Sequence, residues 1–190
     1  MPAQFQRVDL LILVALFALS ACNVNVKKNE QGEDKNVDIK TPFGEIHVDK
    51  GADVKDTGLP VYAGARVKQK NESDNDEKSA NVNISTGAFG LRVVAVEYES
   101  DDAPAKLVSY YKDQLKKYGN VLECRTSGHN YSYSHDSNSD ELKCEGNTGK
   151  NIELKAGTKN NQHIVSIEPR EKGSNFALVY VRIRGKEDTI

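Results

Sequence analysis

Only one stretch of this chain, residues 103–118, spaces its apolar side chains as an amphipathic helix would; most of the remainder alternates apolar with polar. Leu107, Val108, Tyr111, Leu115 and Tyr118 fall on one helical face, with Lys106, Lys112, Asp113 and Lys116 opposite. Asp101 or Asp102 is placed to cap the start, and Pro104 sits in the first turn, where its missing N–H costs nothing. Gly119 supplies the stop. The apolar stripe is read as core packing, not as a cofactor site. A chain with one such helix among many strands must bury it against a sheet. The expected fold is therefore α+β: an antiparallel sheet with one main helix packed on one face, preceded by a short β-hairpin arm.

The strand signals are strict. Val24 and Val26 alternate with asparagines, and residues 37–40 and 45–48 repeat the pattern, as strands with one buried face do. Between them residues 29–36 are polar and contain Gly32, which reads as a loop. A polar connector at residues 51–58 places the domain boundary, with residues 22–58 as arm and connector and 59–190 as the main domain. There, residues 67–70 lead into a charged hairpin tip at 71–78, and residues 81–85 alternate again. Leu91, Val93, Val94 and Val96 point to both faces, as expected of a central strand. Strand candidates after the helix are residues 121–126, 141–145, 152–155, 163–168 and 176–184.

Residues 10–19 are an unbroken apolar run, too short for a bilayer span of about twenty residues but suited to the core of a signal peptide. Leu19-Ser20-Ala21-Cys22 follows and resembles the lipobox of bacterial lipoproteins. The resemblance implies that residues 1–21 are a signal peptide, that cleavage precedes Cys22, and that this cysteine carries the lipid. The weakly charged leader, Arg7 offset by Asp9, departs from the usual pattern. Two or three acyl chains, at about 0.8 kcal/mol per buried methylene, would hold the protein to a bilayer. By resemblance to Gram-negative sorting, Asn23 rather than aspartate after the cysteine implies the outer membrane, facing the periplasm or the surface.

Export also bears on the other cysteines. Cys124 and Cys144 remain as an even pair in a compartment where disulfides persist, and a bridge between them is expected. Charged residues are 28% and hydrophobic ones 37%, which places the mature chain among globular rather than disordered sequences. Lys and Arg total 26 against 28 acidic residues, without a basic stripe, so nucleic acid is set aside as a partner.

Two weaker resemblances concern the fold. Residues 37–48, with their Thr41-Pro42-Phe43-Gly44 corner, look like a repeat of bacterial adhesin β-solenoids, but one unit cannot stack, and a hairpin is the preferred reading. Residues 60–65, the Tyr110-Tyr111 pair, Leu115 and Gly119 resemble small extracytoplasmic domains that open on a Tyr-Pro-Gly-Ala motif. Ala63 stands where that pattern has proline. The resemblance implies a fold and no activity.

The segment richest in chemistry is residues 127–136. His129, His135 and Asp136 are candidate metal or catalytic groups, and Tyr131 and Tyr133 could stack on a sugar or peptide. Their spacing matches no structural metal site, and the bland alternative is a solvated loop. Asp136-x-Asn138-x-Asp140 echoes a calcium loop, yet Glu141 stands where glycine is needed and Asn147 where the bidentate glutamate belongs. Arg182, Arg184 and Lys186 alternate near the C-terminus and face either anionic headgroups or solvent. No nucleophile elbow, H-E-x-x-H, C-x-x-C or phosphate-binding glycine loop occurs. The expectation is a lipid-anchored envelope protein with a non-catalytic binding or accessory domain, requiring no cofactor or metal, whose partner is an envelope protein or glycan. The competing expectation is a metal- or ligand-dependent extracytoplasmic enzyme using the His129–Asp136 loop.

Overall fold

The computed structural model describes residues 22–28, 34–68, 79–127, 140–144 and 147–185. The alternating segments form ten antiparallel strands. They are β1 (Asn23–Lys28), β2 (Asp34–Thr41), β3 (Gly44–Asp49), β4 (Arg66–Val67), β5 (Ser79–Thr86), β6 (Gly90–Ser100), β7 (Leu122–Thr126), β8 (Asn151–Thr158), β9 (Asn161–Pro169) and β10 (Ser174–Arg184). All belong to one sheet in the order β1-β2-β3-β5-β6-β10-β9-β8-β7, with β4 also pairing with β6. Among the described residues the α-helix is α1 (Pro104–Leu115), tightened into a 3-10 turn over Lys116–Tyr118. The architecture is α+β.

The N-terminal strands exceed the short hairpin arm that the sequence suggests. β1, β2 and β3 form a three-stranded extension, and β3 pairs with β5 at six positions, from Gly44↔Thr86 to Asp49↔Asn81. A lone hairpin is marginal in water, whereas an added sheet edge shares its neighbour's ladder. Gly44 permits the close approach: a Cβ there would lie 2.4 Å from the Ser85 carbonyl oxygen.

The helix buries Leu107, Tyr111 and Leu115 completely against the sheet. Beneath them lie the rows Tyr98–Phe176–Ile167–Ile152 and Val96–Leu178–Val165–Leu154, set by the register of β6, β10, β9 and β8. The capping expectation fails in detail. The N-cap is Ala103, which offers no side-chain cap. Asp102 is engaged elsewhere, accepting from Tyr62 Oη at 2.9 Å and Lys106 Nζ at 2.6 Å, while its carbonyl accepts from Ser174 Oγ at 2.9 Å. It joins the helix start to the 60–65 stretch and to β10 instead of closing the first turn. Gly119 does end the helical segment, with φ 126°, a conformation favouring glycine.

Across β6 and β10 the apolar side of the sheet changes. Val94, Val96 and Tyr98 point toward the helix, while Leu91 and Val93 point away from it by strand alternation. On this outer face two aliphatic rows run through the N-terminal strands. One is Val26–Val37–Val48–Val82–Val93–Val181, the other Val24–Ile39–Ile46–Ile84–Leu91–Ile183. The helix-side face of the same strands is polar, carrying Asp38, His47, Asn83, Arg92 and Arg182 in one row.

Residues 141–145 were expected as a strand. Asp140–Cys144 instead forms no ladder. The stretch is held by a backbone hydrogen bond from Lys159 N–H to the Asp140 carbonyl, 3.1 Å, and by the disulfide.

Candidate functional site

Cys22 is an exposed free thiol directly ahead of β1. The register shows what shares its end of the sheet. Asn23 lies opposite Lys40, the β2–β3 turn follows at Thr41–Gly44, Gly44 lies opposite Thr86, and Gly90 lies opposite Arg184. One end therefore gathers Cys22, two turns and the last residues of β10.

Both turns hold an aromatic ring outward. In the first, Thr41 Oγ1 donates to the Gly44 carbonyl at 3.0 Å and accepts from Phe43 N–H at 3.2 Å. In the second, Thr86 Oγ1 accepts from Phe89 N–H at 2.9 Å, and Thr86 N–H donates to the Phe89 carbonyl at 2.7 Å. Phe43 is 86% exposed and Phe89 41%. Arg184 lies across Gly90, its Nε 3.5 Å from where a Cβ would stand, and Arg182 and Arg184 are both exposed. Arg92 pairs with Asp56 at 3.1 Å on the helix-side face.

Cys124 and Cys144 are bonded, with Cα atoms 5.4 Å apart, and Cys124 is buried. His129, Tyr131, Tyr133, His135 and Asp136 lie outside the described residues, as does the 71–78 tip. Of the other histidines, His47 pairs through Nδ1 with Asp38, whose carboxyl this hydrogen bond holds below its usual range. No group of three or more His, Cys, Asp or Glu side chains that could hold a metal occurs among the described residues. No helix among them is long and apolar enough to cross a membrane.

Two clusters escaped the sequence reading. Tyr62 packs edge-on to Tyr110 at 5.2 Å and near Tyr111 at 6.5 Å, closing residues 60–65 onto the helix. His163, buried on β9, stacks on Tyr118 at 3.4 Å between ring centroids and donates from Nδ1 to the Thr57 carbonyl at 2.9 Å. Burial pushes its pKa below the ordinary 6.5; the Thr57 carbonyl works against this shift and Lys117 adds to it. The unfolded chain therefore binds the proton first as pH falls. The neutral ring's contribution to stability is complete above pH 6.5 and declines as pH drops below that value toward the folded pKa. Urea midpoints measured from pH 7.5 to 5.5, roughly the range in which histidines titrate, are expected to fall, and His163→Gln to flatten that slope. An equal slope in both proteins would assign it to other groups.

The aromatic turns left a faint trace in the sequence. Phe43 and Phe89 each precede a glycine at a break in alternation, where a ring has no strand face to bury it. Only the register shows that both stand at the Cys22 end of the sheet. The chain matches no family model, no curated protein and no solved structure.

Proposed function

We propose that this chain is a lipid-anchored protein of the bacterial cell envelope whose α+β domain is a non-catalytic binding or accessory module. The observation that carries the reading is the join at Cys22. An apolar run and two small residues lead to a cysteine that is exposed, unpaired and immediately followed by folded structure. A processing enzyme needs an accessible thiol in an extended segment, and a mature protein needs its first ordered residue after the modified one. The Cys124–Cys144 bridge supports an oxidising compartment. Residues 127–140 and 71–78 are the proposed contact loops for an envelope protein or glycan.

The test is the intact mass of detergent-extracted protein beside its Cys22→Ala form. The expected result is a chain starting at Cys22 with acyl chains attached, and a Cys22→Ala precursor that keeps residues 1–21 and carries no acyl mass. A wild-type chain of unmodified mass, or acyl mass that persists on Cys22→Ala, would overturn the anchoring.

A further inference from the structure

We propose that the end of the sheet carrying Cys22 is a membrane-docking foot, with Phe43 and Phe89 seated at the lipid headgroup level and Arg182 and Arg184 against headgroup phosphates. The proposal rests on lipid at Cys22. Given that lipid, the sheet has little freedom, because β1 begins at Asn23 and no spacer separates the acyl chains from the first paired residue. The two turns and the end of β10 share that end, so they meet the bilayer together.

The distribution of exposed apolar groups points the same way. Among the described residues the exposed large hydrophobics are Val24, Val26, Phe43, Ile46, Val61, Val67 and Phe89, and only Val61 and Val67 lie outside β1, β3 and the two turns. Exposed apolar surface concentrated in one place marks an interaction site, and rings at the headgroup level leave water without losing polar contacts. Arginine adds a charge on a long apolar stem that reaches phosphate while the stem lies along lipid. A second copy of the chain is the other occupant an apolar sheet face invites. It would not account for rings and arginines placed at the anchor's end of the sheet.

The chain contains no tryptophan, so Phe43→Trp is a reporter without background. The full chain, acylated as verified by mass, is reconstituted into phosphatidylcholine vesicles with and without phosphatidylglycerol, using brominated acyl chains as quencher. Phe43→Trp is expected to be blue-shifted and quenched severalfold more than Val67→Trp, which is also exposed but pairs with Tyr98 toward the opposite end of β6. Arg182→Glu with Arg184→Glu is expected to lower the docked-to-undocked ratio in phosphatidylglycerol vesicles by roughly fivefold per arginine. Equal quenching at both positions in acylated protein overturns the foot and leaves the anchor standing. A mass without acyl chains overturns both. A blue shift that grows with protein concentration and is insensitive to bromination overturns the foot in favour of a second copy.

Discussion

Replacing Tyr111 with alanine is expected to lower the unfolding free energy by about 3–5 kcal/mol, the range seen for large aromatic truncations in close-packed cores. Tyr111 is fully buried on the helix face that meets the sheet. Its ring lies 5.0 Å from Tyr110, edge-on, and 5.7 Å from Phe176. The hydroxyl accepts from Tyr62 N–H at 3.1 Å and donates to the Pro60 carbonyl at 3.3 Å. Burial raises the phenol pKa well above its ordinary 10, so it stays a neutral donor throughout any practical pH range. Tyr111→Phe keeps the ring and strands the two backbone groups, and is expected to cost about 1–2 kcal/mol. Urea denaturation of the three proteins separates the terms. A loss under about 1 kcal/mol for alanine would mean that the ring's packing does not hold helix and sheet together.

The second large effect concerns β7. Reducing the Cys124–Cys144 bond, or replacing both residues by alanine, is expected to destabilise the fold by about 3 kcal/mol, because the bond closes a loop with sequence separation 20. Among the described residues β7 is the last strand of the sheet, five residues long and paired only with β8. Its ladder is therefore expected to open first, so amide exchange at Leu122–Thr126 should accelerate more than exchange in β9 or β10. Agreement of the two routes, reduction and substitution, checks that the bond rather than the lost sulfur atoms is responsible. No change in urea midpoint on reduction would contradict the loop-closure account.

Much of this architecture was legible because its signals are local. The helix announces itself through Leu107, Tyr111 and Leu115 at four-residue steps, and β6 through a run apolar on both faces. The disulfide followed from cysteine count and the export expected from the leader. Pairing was not legible, since alternation in residues 37–48 says that one face is apolar but not which side of which sheet it joins. The match of β3 to β5 spans a connector containing a 3-10 turn and β4, and only the completed rows through Val48–Val82 and Ile46–Ile84 reveal it. Residues 141–145 misled for the opposite reason. Leu142 and Cys144 alternate with charged neighbours, yet a segment held by a disulfide and the bond from Lys159 N–H to the Asp140 carbonyl half-buries them without a ladder. Asp102 looked like a cap because its type and place fit, and tertiary partners claimed it.

The placement of Thr126 has a consequence for encounters. Thr126 lies opposite Asn151 on β8, toward the same end as Ser174 of β10 and Ser100 of β6, whereas Arg184 and Gly90 mark the Cys22 end. Ser127 thus stands at the end remote from the proposed anchor, whereas Asp140, whose carbonyl accepts from Lys159 N–H at the turn between β8 and β9, stands at the Cys22 end. Strands rise about 3.3 Å per residue, so the eleven residues of β10 measure out roughly 35 Å. Under the proposed anchoring, the sheet works as a rigid ruler rather than a leash. A partner at that far end would be met at a set height above the lipid, found by sideways drift of the whole molecule and not by the sweep of a flexible arm.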